Sequence, residues 1–370
     1  MMWKKRMIIG ISMLILMLAC PDSGLAKDIC QEVKPSVCHA ARQLAKQKEA
    51  AVNSRQLHLY LETIDPEKPM YLQEQKRWFQ DAIQVIDPRS FHLHLRSVRP
   101  DGNRRLLFKM EQKYSVKGQV IEYQIPLTLR FTNKGWKDAD LSFEQLGNDW
   151  ITVYFTDPSL KTKAQIAYQT LSKAVPLLQQ KFDWKPQKIE VKLYHSSKLF
   201  HHSVKPSLPR WAGGWHEAGQ SIKFVANGLE PRLLASGLIH ELVHQMVSDL
   251  TNDNAAYWLQ EGAAMYYEAN LMPELCVIHD AGHLKEDWTL SELESRQLEK
   301  LPAQEAHQYY LHSYVWYEKL MKKYGEQEFK KLFAHLKKFP YIDKESDQKR
   351  NELNLRTRDA LSEIFHVSGR

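Results

Sequence analysis

The run EPRLLASGLIHELVHQMVSDL, residues 230–250, constrains the fold of this chain more than any other feature. Its apolar residues recur at helical spacing, and its second residue is a proline, which is favoured at the start of a helix. His240 and His244 therefore lie above one another on one helix face, with Glu241 about 100° around the axis. Two interpretations fit: a packed helix whose histidines bond to polar neighbours, or a helix that carries two ligands of a metal ion.

A second helical segment, AAYWLQEGAAMYYEANL, follows the turn TNDN and carries Glu261. Helices joined by a short turn are antiparallel, so this carboxylate is expected beside His240 and His244. Two histidines and one carboxylate leave a tetrahedral position open for water, which is typical of a catalytic zinc site. Glu241 would reach that water without being a ligand. The alternative for Glu261 is a carboxylate that interacts favourably with the N-terminus of its own helix.

These segments resemble the gluzincin metallopeptidases of the MA clan over roughly residues 150–335. HELVHQ followed by WLQEGAAMYYE is similar to the clan pattern of HExxH and a later glutamate within W-L-x-E-G. PRWAGGWHEAGQSIKFVA is similar to the loop and edge strand that precede HExxH, and YYLHSYVWYEKLMKKYG to a helix with Y-x-x-S/G and a terminal Y-G. The resemblance implies that His240, His244 and Glu261 bind Zn²⁺ and that Glu241 activates water.

The resemblance also implies a tyrosine that stabilises the oxyanion of the tetrahedral intermediate. Tyr310 aligns with it, while the neighbouring Tyr309 and Tyr314, one helical turn on, remain alternatives. Any of these tyrosines is equally compatible with a core aromatic. Glu268, two turns after Glu261, would accept the second ring N–H of a zinc-bound histidine, or would form a surface salt bridge.

Gly213 and Gly214 precede the strand segment SIKFVA. They would let a substrate backbone approach and pair as an added strand, or they form an ordinary turn. The aminopeptidase branch of the clan has Asn before the glutamate and an upstream G-A-M-E-N motif. This chain has Gln260 and lacks that motif, which argues against a typical aminopeptidase.

The sequence therefore predicts a zinc peptidase that acts on peptide or protein substrates, and it favours an endopeptidase. Two other functions stay open. One is a catalytically silent zinc scaffold that serves binding or envelope maintenance. The other is an aminopeptidase-type exopeptidase, which peptides with free and blocked N-termini would distinguish.

The hydrophobic pattern divides the chain into a signal segment and two domains of an α+β protein. Residues 1–26 combine basic residues with an apolar run of thirteen residues, which is typical of a secretory signal cleaved after Ala26. Residues 27–149 predict helices followed by a curved antiparallel sheet, similar in order to an NTF2-like module. For residues 150–370, the resemblance to the gluzincins implies a zincin-type domain with a mixed sheet and a helical C-terminal part.

Three local details accompany this division. The segment ADLSFEQL, residues 139–146, has the pattern of one strand. The amphipathic helix near residues 163–182 is expected to be interrupted at Pro176. The helix that begins in YYLHSYVWYEKL is expected to end at Gly325.

Charge and cysteine content restrict the partners. The formal net charge is +7, and no run of Lys and Arg approaches a nucleic-acid-binding stripe, although a weak association with an anionic cell-envelope surface stays open. An exported chain would be secreted or located at the cell surface, and a lipid anchor at Cys20 is the less favoured arrangement. Oxidising surroundings would allow a local disulfide between Cys30 and Cys38.

Histidines outside HELVH also occur in metal-like spacings, notably His201, His202, His279 and His283. Gly282 and its neighbours weaken a helix around the last pair. The sequence therefore favours exposed or hydrogen-bonded histidines at these positions over a second metal site.

Overall fold

A computed structural model describes residues 29–30, 32–277, 287–343 and 347–365 of the chain. The predicted signal segment, Cys20 and the pair His279 and His283 lie outside these residues. Among the helices within them, none is both long enough and apolar enough to cross a membrane.

The N-terminal part consists of three helices followed by a four-stranded antiparallel sheet, order β1-β2-β3-β4. The elements are α1 (Pro35–Asn53), α2 (Leu57–Leu61), α3 (Pro69–Val85), β1 (His92–Pro100), β2 (Arg105–Val116), β3 (Gln119–Thr132) and β4 (Gly135–Leu141). Helices α1 and α3 begin with proline, whose fixed φ suits the first helical turn. Lys117 and Gly118, both with positive φ, form the two-residue turn between β2 and β3.

The predicted disulfide between Cys30 and Cys38 is confirmed, with Cα atoms 5.8 Å apart. It joins the segment before α1 to the first turn of that helix. The backbone N–H of Val98 in β1 donates to the carbonyl of Ile29, so the cross-linked segment lies against the sheet.

The C-terminal part begins with a five-stranded mixed sheet, order β5-β6-β7-β9-β8. Strands β6, β7 and β9 are parallel, whereas β5 and β8 pair antiparallel at the two edges. The elements are β5 (Glu144–Gly147), β6 (Ile151–Phe155), α4 (Lys161–Phe182), β7 (Ile189–Tyr194), α5 (Ser197–Val204), β8 (Gly214–Trp215) and β9 (Ile222–Val225).

Within the described residues, the α-helices after the sheet are α6 (Pro231–Thr251), α7 (Tyr257–Asn270), α8 (Leu290–Ser295), α9 (Ala303–Leu336) and α10 (Asp347–Phe365). Together with the two sheets they confirm the predicted α+β class. The division into domains at residues 149 and 150 stays a prediction, as does the NTF2-like arrangement. β5, which that boundary assigns to the first domain, pairs with β6 in the second sheet.

Two of the local expectations differ from the structure. Helix α4 continues through Pro176 instead of stopping there. Ala174, Val175 and Leu178 around the proline are fully buried in the core of the C-terminal part, so packing keeps this segment helical. The segment ADLSFEQL is not one strand, because β4 ends at Leu141 in the first sheet and β5 begins the second.

The helical segment containing YYLHSYVWYEKL is bent at the predicted glycine. Gly325 has φ 79° and ψ 171°, which is not a helical conformation, and α9 consists of two helical stretches that meet there. A residue with a side chain would be strained at this φ.

The N-terminal part covers the outer face of the second sheet through buried ion pairs. Lys192 in β7 pairs with Glu74 of α3 at 2.6 Å and also with Asp140 of β4. Glu74 accepts hydrogen bonds from the backbone N–H and hydroxyl of Ser221, and Lys223 lies 3.2 Å from it. Glu74, Lys192 and Lys223 are all buried, so each charge depends on partners from the other part.

Candidate metal centre

Helices α6 and α7 are brought together by the turn between them. Asn252, at the C-terminal end of α6, has φ 53° in the left-handed region, and this allows the chain to reverse. Gly262 in α7 lies against the carbonyl of Ser313 and the side chain of Tyr317 in α9, closer than a β-carbon allows. This close packing fixes α7, and with it Glu261, between α6 and α9.

His240, His244 and Glu261 converge as the sequence spacing predicts. The Nε2 atoms of the two histidines are 3.1 Å apart, and each lies 3.3 Å from Glu261 Oε2. These three atoms are called the ligand triangle below. Among the residues that the structure describes, these three form the cluster in which at least three His, Cys, Asp or Glu side chains place their ligand atoms close enough together to share one metal ion.

The dimensions of the ligand triangle fit a small tetrahedral cation. Ligands held about 2.0–2.1 Å from zinc at tetrahedral angles lie roughly 3.3 Å from one another. Glu261 Oε2 is buried and accepts no hydrogen bond within the described residues, although both histidine nitrogens are near it. Buried polar atoms are rarely left without a partner, and a bound cation would supply one for this oxygen. The three residues therefore fit zinc in ligand type, in spacing and in a carboxylate oxygen that is free to coordinate.

The electrostatics of the cluster agree with that fit. Burial acts to raise the pKa of Glu261, but His244 and His240 outweigh it and lower the pKa to about 2. Burial likewise acts to lower the pKa of His240, yet contacts with Glu261 and Glu268 raise it well above the usual value. The lowered pKa of Glu261 and the raised pKa of His240 both indicate that the cluster stabilises positive charge at its centre.

Glu268 forms a hydrogen bond with one of the two proposed zinc-binding histidines, His240, and is buried. His240 Nδ1 donates to Glu268 Oε2 at 3.0 Å, and the hydroxyl of Ser236 donates to the other carboxylate oxygen at 2.6 Å. With its proton on Nδ1, the His240 ring presents the lone pair of Nε2 to the ligand triangle. Ser236 was missed from the sequence, although it stands four residues before His240 on the same helix face.

The side chain of Glu241 extends from α6 to strand β8. A β-carbon on Gly214 would be 2.5 Å from Glu241 Oε1 and 2.8 Å from the ring of Phe224, so the strand approaches the carboxylate because residue 214 has no side chain. A β-carbon on Gly213 would meet nothing within 4 Å. Burial raises the pKa of Glu241, against the opposing effect of His244 and His240.

A cavity of about 470 Å³ opens beside Glu241 and His240. Gly213, Gly214 and Phe224 form part of its wall. Both glycines proposed for substrate binding therefore lie on the same cavity as the proposed base.

Among the three candidate tyrosines, Tyr310 has its ring 6.0 Å from that of His240. Burial raises its pKa well above the usual value, and Glu261 and Glu241 add to the shift, so its hydroxyl stays protonated. Tyr309 is buried in the core. Tyr314 instead donates to Glu318 at 3.1 Å.

His216, which the sequence did not single out, lies close enough to His244 for that residue to influence the pKa of His216. Burial lowers the pKa of His216 well below the usual value, with a smaller contribution from His244. The pattern carried no signal for it, because its place depends on the loop between β8 and β9. Of the other histidines, His201 bonds to the carbonyls of Ser197 and Pro209 through its ring nitrogens.

His202 contacts aromatic residues of the N-terminal part. Its Nδ1 lies 2.9 Å from the hydroxyl of Tyr114, and its ring stacks on Tyr123 at 4.7 Å.

Comparison with known proteins adds one finding. Residues 163–346, about half of the chain, match the family model described as the peptidase MA superfamily. The match includes all of α6, α7 and α9, which carry the ligand triangle, Glu241 and Tyr310. A search among curated proteins gave no match.

Proposed function

Because residues 163–346 belong to the peptidase MA superfamily, we propose that the chain is an exported zinc-dependent endopeptidase. The observation that carries the proposal is the ligand triangle, in which two imidazole nitrogens and one carboxylate oxygen lie 3.1–3.3 Å apart. His240, His244 and Glu261 would hold the ion. Three protein ligands leave one tetrahedral position for water or substrate.

Zinc bound at this site supplies Lewis-acid polarisation of the scissile carbonyl and a lower pKa for a water molecule. The chain supplies the proton transfers. Glu241, whose carboxylate lies against Gly214 of β8, accepts the proton of the attacking water on a carboxylate oxygen. It later donates this proton to the leaving amine. Tyr310 donates its hydroxyl hydrogen to the oxygen on which negative charge develops. Glu268 keeps His240 in the tautomer that binds metal.

Endopeptidase action is supported by two side chains that an exopeptidase would use differently. Gln260 stands where the aminopeptidase branch has Asn, and its side-chain amide donates to the carbonyl of Ala255 at 2.8 Å. Glu217, the carboxylate that follows β8, accepts hydrogen bonds from Trp215 and Gln220. Because the Glu217 carboxylate already accepts these two hydrogen bonds, it is less suited to bind the free amino group of a substrate.

Export is supported by the disulfide between Cys30 and Cys38 and by the basic and apolar N-terminal segment. Disulfides persist in oxidising compartments and are rare in reducing ones.

The test combines metal content with turnover. The zinc-loaded chain is expected to cleave internal bonds of a peptide library whose members have blocked N-termini, and a chelator should abolish cleavage. Glu241→Gln should bind zinc like the unchanged chain and lose about 10³-fold or more in kcat/KM, because it removes the base.

Glu274→Gln is the matched control, since it makes the same substitution at an exposed carboxylate that is not among the residues lining the cavity beside Glu241. Full activity of Glu241→Gln, or zinc content unaffected by replacing His240 and His244, would refute the proposal. Cleavage restricted to free N-termini would replace the endopeptidase with an exopeptidase. Stoichiometric zinc without any turnover would favour the silent scaffold.

A further inference from the structure

The cavity beside Glu241 and His240 has an apolar part that the proposed mechanism does not use. Phe224, Leu229 and Leu233 line the same cavity as these two residues. Phe224 and Leu229 are partly buried, and Leu233 is 45% exposed. A single exposed leucine is ordinary on a protein surface. Three apolar side chains in a cavity that reaches a proposed catalytic carboxylate have instead the composition of a binding pocket.

Helix α6 sets the distance between this apolar part and the proposed base. Leu233, Gly237 and Glu241 follow one another at intervals of four residues, so they lie on neighbouring turns of the helix, and all three line the cavity. At 1.5 Å per residue, Gly237 is about 6 Å and Leu233 about 12 Å from Glu241 along the helix axis. The apolar part therefore begins one helical turn from the proposed base.

The ring of Phe224 is fixed beside Gly237 by the backbone around it. Phe224 of β9 pairs with Gly214 of β8, and the N–H of Val225 donates to the carbonyl of Gly213 at 2.8 Å. A β-carbon on Gly237 would be 2.5 Å from the tip of the Phe224 ring, so the ring lies directly against α6. The ring therefore forms an apolar wall that is held in place from two sides.

The charged groups of the cavity are poorly placed to compete with this apolar wall for a substrate side chain. The carboxylate of Glu268 is already bonded to His240. Arg210 supplies a positive charge, but its side chain is exposed. An ion pair formed with an exposed arginine contributes little, because water screens both charges. Contact with the apolar side chains is therefore the larger source of binding energy in this part of the cavity.

We propose that the apolar part of the cavity is a specificity pocket for a large apolar side chain, such as leucine or phenylalanine. This side chain belongs to a substrate residue that flanks the scissile bond, and Phe224, Leu229 and Leu233 determine the preference for it. The inference rests on the proposed function and names its substrate class. A scissile carbonyl beside Glu241 places a neighbouring side chain over Gly237, within the cavity of about 470 Å³. That volume is in the range of pockets that enclose small ligands.

The test compares kcat/KM for peptides with blocked N-termini that differ only at one of the two residues flanking the scissile bond. Each of these positions carries leucine, phenylalanine, alanine or glutamate in turn. The zinc-loaded chain is expected to favour leucine or phenylalanine over alanine by about tenfold or more at one of the two positions. Leu233→Asn should lower this ratio by about three- to tenfold, because it replaces an apolar wall with a polar side chain of similar size.

Leu355→Asn is the matched control and should keep the full ratio. Leu355 is 54% exposed in α10 and is not among the residues that line the cavity. Binding of the same peptides to Glu241→Gln, followed by fluorescence anisotropy, measures the preference without turnover. Circular dichroism identifies a variant that fails to fold, and Leu233→Ala then replaces Leu233→Asn.

The outcomes separate the two proposals. Equal cleavage of all the peptides overturns the pocket and leaves the peptidase intact, and a preference for glutamate overturns the apolar assignment in the same way. An apolar preference that is unchanged in folded Leu233→Asn overturns the assignment to this wall of the cavity. Preferential binding of the leucine or phenylalanine peptides without any cleavage supports the pocket and refutes the peptidase.

Discussion

Replacing Gly214 with alanine should impair catalysis while leaving zinc binding unchanged. The new β-carbon would stand 2.5 Å from Glu241 Oε1, about 0.8 Å inside an ordinary carbon–oxygen contact. It would also meet the Phe224 ring at 2.8 Å. That ring cannot retreat towards α6, because Gly237 on that side already approaches it within the space of a β-carbon. The carboxylate is the flexible partner, so it moves.

A displacement of about 1 Å at a catalytic group can reduce the rate about 100-fold, which corresponds to about 2.7 kcal/mol in the activation free energy. We therefore expect Gly214→Ala to lose about 100-fold in kcat, with KM and zinc affinity little changed. The strain on folding should be small, since the end of a glutamate side chain yields easily and the φ of residue 214 is not in the left-handed region.

The assay is steady-state kinetics on a short blocked peptide, with zinc content measured on the same preparation. Gly213→Ala is the comparison, because its β-carbon would meet no atom of the chain within 4 Å and leaves Glu241 in place, so that its effect on substrate approach should appear in KM. Equal kcat of the two variants would refute the argument that β8 fixes the position of Glu241. A loss of zinc in Gly214→Ala would show that the clash displaces the ligands instead.

Two further predictions concern buried carboxylates. Glu268→Ala should weaken zinc affinity about 10- to 100-fold in competition with a chelator, because His240 loses the acceptor of its Nδ1 proton, and unchanged affinity would contradict this role. For Glu74, burial acts to raise the pKa, but Lys192 and Lys223 outweigh it and hold the pKa below the ordinary 4.5. Its contribution to stability is therefore present above about pH 4.5 and is lost as the pH falls towards the lowered pKa. Glu74→Gln should lower the unfolding free energy at neutral pH by about 3 kcal/mol and flatten this acid dependence in denaturant titrations, and parallel pH curves for the two chains would count against it.

The arrangement of the ligand triangle could be predicted from the sequence because it depends on local geometry. The interval between His240 and His244 places both rings on one face of any helix. Glu261 required one further step, a short turn between two antiparallel helices, and the structure has that turn. The position of Glu268 could be predicted for the same reason, since it lies two turns along α7 from Glu261.

The features that shape the cleft depend on contacts between distant residues. Phe224 lies between Gly214 and Gly237 only after β8, β9 and α6 have assembled. The expected break at Pro176 failed for a related reason: the local preference of proline was outweighed by a buried helix face.

The covered outer face of the second sheet has a practical consequence for anyone who shortens this chain. A fragment beginning at β5 would retain Lys192 and Lys223 but lose Glu74 and Asp140, their counter-charges. It would also expose Tyr194, which is buried against the N-terminal part in the full chain. Such a fragment would expose an apolar and positively charged surface that favours aggregation. The two parts should therefore be produced and engineered as one unit.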